Sequence, residues 1–243
     1  MYATTPDSRY AVLGELEPNV GQIRVVDLDS STEVAAINDL IDDPNDRQGA
    51  VLWADFSPDG STMAVIRGAS PPALIDTVSW SVDRVIESPD GTDVRTAKFS
   101  EDGSVLALHT EGGQIFFYDL ESGAITDGPI AGAAVNGALM HASTYGPGDR
   151  TFVVGVADGV QLWDLASGLQ IGDVFPNRGL LHGSTSFDGR YGITSIGDNV
   201  LVWNLDTSTW ADIACRAAGR DMTPAEWAQY GLAEEPFTPV CGG

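Results

Sequence analysis

Phe56-Ser57-Pro58-Asp59-Gly60 returns 43 residues later as Phe99-Ser100-Glu101-Asp102-Gly103. A looser copy, Thr185-Ser186-Phe187-Asp188-Gly189, lies two periods further on. Tyr145-Gly146-Pro147-Gly148-Asp149 occupies the period between, and Pro6-Asp7-Ser8 reads as a worn first copy. The chemistry of the motif is that of a tight turn, because Asp bonds the backbone two residues on and Gly takes positive φ at no steric cost. A short apolar run follows each turn: Tyr10 to Leu13, Met63 to Ile66, Val105 to Leu108, Phe152 to Val156 and Tyr191 to Ile196. Their length and composition predict β-strands.

A second marker recurs in phase with the first. An aliphatic or aromatic residue precedes Asp or Asn at Val26-Asp27, Ile75-Asp76, Tyr118-Asp119, Trp163-Asp164 and Trp203-Asn204, at spacings of 49, 43, 45 and 40 residues. Polar turns follow, as in Glu121-Ser122-Gly123 and Ala166-Ser167-Gly168, and then a fourth strand such as Leu169 to Val174. A period of roughly 40 to 45 residues with four strands per unit is that of a propeller blade. One such sheet cannot bury both faces alone, so units stack face to face. A β-sandwich also spaces short strands regularly, but it does not explain two markers recurring together. The expected fold is all-β, a β-propeller of about five four-stranded blades over 1–40, 41–88, 89–130, 131–176 and 177–208, with a helical tail over 209–243.

The paired markers resemble the WD-repeat family, specifically its bacterial members, over roughly Tyr2 to Leu205. The Gly-His pair found near the start of the best family repeats is missing from the Phe56 and Phe99 units. The tail, Trp210-Ala211-Asp212-Ile213-Ala214-Cys215-Arg216 through Met222-Thr223-Pro224-Ala225-Glu226-Trp227 to Pro236–Cys241, resembles the segment that closes WD-repeat regions in large bacterial signalling proteins. In those proteins a nucleotide-binding ATPase module of the STAND type precedes the propeller. No GxxxxGK[ST] loop or kinase motif set is present here. Family rings usually have seven blades, and the first unit begins inside its first strand. The resemblance therefore implies the C-terminal part of a larger ring, or a short product of a truncated gene, with a closed five-bladed ring as the alternative.

Thr223-Pro224-Ala225-Glu226 is a capping box opening a helix, on which Trp227 and Tyr230 are expected to pack against the last blade. The cysteines, Cys215 and Cys241, lie 26 apart in the tail. Two readings stay open for them: a disulfide clasping the tail, which favours an extracytoplasmic setting, or two reduced thiols, which favours the cytoplasm.

The remaining polar residues form no recognisable catalytic set. His109, His141 and His182 lie in different units without metal-ligand spacing, and Ser143 and Ser184 stand near histidines but in no GxSxG elbow. Asp42-Asp43-Pro44-Asn45-Asp46 lacks the EF-hand spacing, and Glu234-Glu235 carries no motif. No catalytic residue, cofactor or metal is expected.

Acidic residues number 35 against 12 basic, a net charge of −23, and Lys98 is the sole lysine. Such a field repels phosphate backbones and excludes nucleic acid as the expected partner. No apolar run suits a membrane span, and Met1 to Arg9 does not read as a signal peptide. The expectation is a non-enzymatic interaction or sensing module that binds a protein on a propeller face. Its rivals are a propeller hydrolase or lactonase, and a structural piece completed by further blades or a second copy.

Overall fold

The computed structural model describes residues 3–14, 23–37, 51–67, 70–87, 91–131, 144–156, 159–176, 184–186, 190–196, 199–229 and 236–241. They form antiparallel sheets, each a meander of sequential strands. The first holds β1 (Ala3–Thr4), β2 (Tyr10–Gly14), β3 (Ile23–Asp27) and β4 (Thr32–Ile37). The second holds β5 (Val51–Phe56), β6 (Thr62–Arg67), β7 (Ala73–Asp76) and β8 (Ser81–Val85). The third holds β9 (Val94–Phe99), β10 (Val105–Thr110), β11 (Gln114–Asp119) and β12 (Ala124–Ala131).

The fourth sheet holds β13 (Thr144–Tyr145), β14 (Thr151–Val156), β15 (Gly159–Asp164) and β16 (Leu169–Gln170), and β17 (Phe175–Pro176) also pairs with β15. Its outer strand, expected as one run from Leu169 to Val174, is thus divided between two short pairings. Gly172, at φ +66° between them, turns the chain out of the extended conformation.

The fifth sheet departs further from expectation. Among the described residues it has three strands, β18 (Ser184–Thr185), β19 (Tyr191–Ile196) and β20 (Asn199–Asn204), where four were expected. After Asn204 the chain turns instead of reversing: the Asp206 carboxylate accepts from the Ser208 amide at 3.1 Å, and helix α1 (Trp210–Ala218) follows. The capping box at Thr223 opens a second helix of four residues, α2 (Pro224–Trp227). Trp227 stacks edge-on against Phe237 of the tail at 5.7 Å. Tyr230 lies outside the described residues.

Period-2 alternation explains the stacking, since successive side chains of a strand leave opposite faces. In β6, Met63 and Val65 join Val12, Ile23, Val25 and Ile37 of the first sheet in one buried cluster. Ala64 and Ile66, from the same strand, pack instead with Ala97, Phe99, Leu106 and Leu108 of the third. In β14, Phe152 and Val154 pack with Ala107, Ile115 and Phe117 of the third sheet, while Val153 packs towards Leu205 after the fifth. Each middle sheet therefore buries both faces, which is why its strands read as nearly unbroken apolar runs.

The first strands also stand together: β1 touches β5, β5 touches β9, and β9 touches β13. Polar bonds tie them. Asp55 on β5 accepts from Lys98 Nζ at 2.7 Å and from the Phe99 amide at 3.0 Å, and Trp53 Nε1 donates to the Ala97 carbonyl at 2.7 Å. The result is an all-β stack with its first strands side by side, an arrangement consistent with propeller blades.

Candidate binding surface at the turn end of the sheets

In a four-stranded meander, the turn after the first strand and the turn after the third fall at the same end. Both sequence markers build these turns, so they share one surface.

The first turn is locked by its own side chains. In the second sheet, Asp59 accepts from Ser57 Oγ at 2.6 Å and from the Ser61 amide at 3.0 Å, while Ser57 Oγ accepts from the Thr62 amide at 2.9 Å. Asp102 repeats this with Ser100 Oγ at 2.8 Å and the Ser104 amide at 2.9 Å. The worn first copy is chemically intact. Asp7 accepts from Thr5 Oγ1 at 2.6 Å and from the Arg9 amide at 3.0 Å, with Ser8 at φ +59° where the second and third sheets have Gly60 and Gly103. In the fifth sheet Ser186 Oγ accepts from the Tyr191 amide at 2.9 Å, while Asp188 and Gly189 lie outside the described residues.

The second marker is also a carboxylate turn. Asp27, Asp76, Asp119 and Asp164 accept from the amides of Ser30, Ser79, Ser122 and Ser167, at 2.7 to 2.9 Å. The left-handed position one residue after each serine is held by Ser31, Trp80, Gly123 and Gly168. Asn204 keeps the role with an amide oxygen, accepting from the Asp206 amide at 2.9 Å.

Consecutive first turns touch through fixed positions. A Cβ added at Gly60 would lie 3.5 Å from Pro6 Cδ, and one at Gly103 would lie 3.2 Å from Pro58 Cδ. Proline of one turn therefore rests on glycine of the next. Gly103 is also left-handed at φ +74°, so Gly103→Ala is expected to cost about 1–2 kcal/mol, measured as a lower denaturant midpoint at unchanged slope.

Between the third and fourth sheets this contact is rebuilt in polar groups. Glu101 stands in the proline place and Asp149 in the glycine place, at φ +53°. The Glu101 amide donates to both Asp149 oxygens, at 2.9 and 2.8 Å, and the Gly148 amide donates to Glu101 Oε2 at 2.7 Å. The sequence contained the signal: Gly148-Asp149 inverts the Asp-Gly order of the other copies. Reading the stretch as a plain copy hid the cross-sheet role of its aspartate.

Beside that clasp opens a cleft of about 780 Å³, lined by Asp102, Phe117, Ile130, Tyr145, Asp149 and Trp163 among others. Burial pushes the Asp149 carboxyl up from its ordinary range, and burial raises the Tyr145 hydroxyl far further. The hydroxyl of Tyr145 and the indole N–H of Trp163 are buried without a hydrogen-bond partner.

The turn carboxylates shift the other way. The Thr5 hydroxyl holds Asp7 below the usual aspartate range, the Ser57 hydroxyl does so for Asp59, and the Ser104 amide for Asp102. Asp27, Asp76, Asp119 and Asp164 are lowered by the serine of their own turn. A carboxyl lowered in the folded state stabilises fully above its unfolded pKa and loses that contribution as pH falls through the folded value. Asp149, being raised, contributes with the opposite sign. With seven groups lowered, the thermal midpoint is expected to hold down to about pH 5 and to fall below about pH 4. Circular dichroism melts across that range check this.

The other candidates are dispersed. His109 is buried on β10 and Trp203 packs towards the fourth sheet. Ser184 begins β18, while His141, Ser143, His182, Asp42–Asp46 and Glu234–Glu235 lie outside the described residues. No group of three or more His, Cys, Asp or Glu is placed to hold a metal among the described residues. No helix among them is long and apolar enough to cross a membrane. Cys215 and Cys241 are paired, with sulfurs 2.02 Å apart. The sequence matches no protein-family model and shows no significant similarity to a curated protein.

Proposed function

We propose that this chain is a propeller-type, non-enzymatic module that binds a protein partner on the turn end of its sheets, in the regulatory setting implied by its resemblance to bacterial WD-repeat proteins. The observation that carries this reading is the pair of self-locked turns at the same end of each of the first three sheets. Such turns are rigid before binding, which reduces the ordering cost of association. Loops on a rigid scaffold are also where recognition residues concentrate.

The test uses turn-tip residues that play no part in locking the turns. Asp29 and Glu121 are exposed at the tips of the Asp27 and Asp119 turns. Capture on the immobilised protein is compared with capture on the double variant Asp29→Lys/Glu121→Lys. A partner retained by the first and lost by the second is the expected result. Retention indifferent to both changes, or turnover of ester or lactone substrates by the purified chain, would contradict the reading.

One observation favours a second reading, in which further blades or a second copy cover the fifth sheet. Val200 and Val202 of β20 are 67% and 64% exposed on one face, and Tyr191 opposite Asn204 is 49% exposed. Mass in solution separates the two, because a monomer leaves that face uncovered.

A further inference from the structure

We propose that the cleft between the third and fourth sheets receives an organic cation, the guanidinium or ammonium end of an arginine or lysine side chain of the partner. The inference rests on the protein-binding reading and adds the chemistry of one contact.

The cleft is where the repeat breaks its own pattern. Between the first two sheets the corresponding space at the turns is about 240 Å³, lined by Pro6, Tyr10, Pro58 and Gly60 among others. Between the third and fourth sheets it is about 780 Å³, within the range of small-ligand sites. This is also the interface where Glu101 and Asp149 replace proline on glycine. Repeat proteins are locally consistent, and departures concentrate where function demands them.

Polar groups without partners cluster at the same place. Tyr145, 7% exposed, and Trp163 both line the cleft, and neither the Tyr145 hydroxyl nor the Trp163 indole N–H has a hydrogen-bond partner. Native structures leave few buried polar groups unpaired. Of these two, the Tyr145 oxygen can accept from a guanidinium or ammonium, whereas the Trp163 indole N–H only donates and is not satisfied by a cation.

The sign of the missing charge follows from the lining. Asp102 and Asp149 contribute carboxylates, while Phe117, Tyr145 and Trp163 contribute aromatic surface. No Lys, Arg or His is among the described lining residues. An aromatic face beside a carboxylate attracts a guanidinium or ammonium and repels an anion. The chain already uses this chemistry in its first sheet. The Arg9 guanidinium lies 4.9 Å from the Tyr10 ring centre, and its Nε is 3.3 Å from Asp27 Oδ2. The cleft presents the same two components, a carboxylate and an aromatic ring.

The probe is Nα-acetylarginine methylamide, with its citrulline counterpart as the uncharged control of the same shape. Binding is followed through the Trp163 indole N–H resonance of ¹⁵N-labelled protein. The expected result is a saturable shift with the arginine derivative only, weakened as salt is raised and at least tenfold weaker in Asp149→Asn. Asparagine tolerates the left-handed backbone there and keeps an oxygen for the Glu101 amide, so this variant retains the fold. An equal response to the citrulline derivative, no saturable shift, or undiminished affinity in Asp149→Asn overturns the proposal. The salt dependence is read on the unaltered protein and does not depend on any variant folding.

A Gly-Gly-Arg-Gly-Gly peptide is expected to bind at least as tightly as the free derivative. If peptide flanks abolish binding, the cation is a small molecule and the assignment to a partner side chain falls. Partner capture that persists in Asp149→Asn overturns this inference alone, whereas capture lost only in Asp29→Lys/Glu121→Lys leaves the protein-binding reading standing.

Discussion

Phe152→Ala is expected to lower stability by about 3–5 kcal/mol, the usual cost of deleting a buried aromatic ring and leaving its cavity. Phe152 is 1% exposed and sits where the third and fourth sheets meet. Its ring meets Tyr145 edge-on at 4.9 Å and Phe117 edge-on at 5.9 Å, so its loss removes two aromatic contacts as well as buried area. Equilibrium denaturation gives the value directly, and a loss below about 1 kcal/mol would place Phe152 outside a packed interface. The more conservative Phe152→Leu refills part of the volume and is expected to cost well under half as much, separating a cavity effect from a general disturbance.

Cys215→Ser is expected to loosen the tail by about 3 kcal/mol under the chain-entropy account of a loop of this length, while the sheets keep their stability. The bridge joins residues 26 apart. Its neighbours complete the closure: the amides of Val240 and Cys241 donate to Asp221 Oδ1, at 2.7 and 2.6 Å, and Arg220 grips Glu226 at 2.7 Å. Helix α1 has no buried residue, and the tail reaches the sheets through Trp210, which packs beside Trp203 and donates from Nε1 to the Asn204 carbonyl at 3.0 Å. Amide exchange resolves the two regions. Protection should fall across residues 212–229 and 236–241 and stay unchanged in β6 and β14. Equal loss of protection in both would show that the tail and the sheets unfold as one unit.

Local chemistry made the strands legible. Each Asp-Gly or Asp-x-x-Ser turn closes on itself within six residues, so the sequence around Asp59, Asp102, Asp119 and Asp164 carries nearly all the information that shapes those turns. Apolar runs such as Met63-Ala64-Val65-Ile66 showed that both faces of a sheet are buried. The interrupted outer strand of the fourth sheet was harder to read, because one left-handed glycine, Gly172, divides a run of otherwise suitable composition. Helix α1 falls inside the helical tail expected over 209–243, but its start at Trp210 was not legible, because the chain's turn at Asp206 is decided by a side-chain bond two residues long.

The cleft was not legible at all. It depends on Glu101 and Asp149 meeting across two sheets, 48 residues apart in sequence. Glu101 is ordinary in its own turn, and the inverted Gly148-Asp149 order marks Asp149 without showing which residue it meets. Only the stacking of the sheets brings the two together, and only the contrast with Pro6 on Gly60 and Pro58 on Gly103 makes their meeting informative.

That stacking is tested most directly by the magnetisation transfer between Trp53 and its neighbour one repeat away. With consecutive sheets face to face and first strands side by side, the Trp53 indole N–H donates to the Ala97 carbonyl at 2.7 Å. A nuclear Overhauser spectrum of the intact chain should therefore show cross-peaks from the Trp53 indole proton to backbone protons of Ala97 and Lys98, and these should weaken when the adjacent tie is cut by Asp55→Ala. An indole proton that instead exchanges rapidly with water, with no cross-peak to the Ala97–Lys98 backbone, would contradict the stacked arrangement and the continuous turn surface built on it.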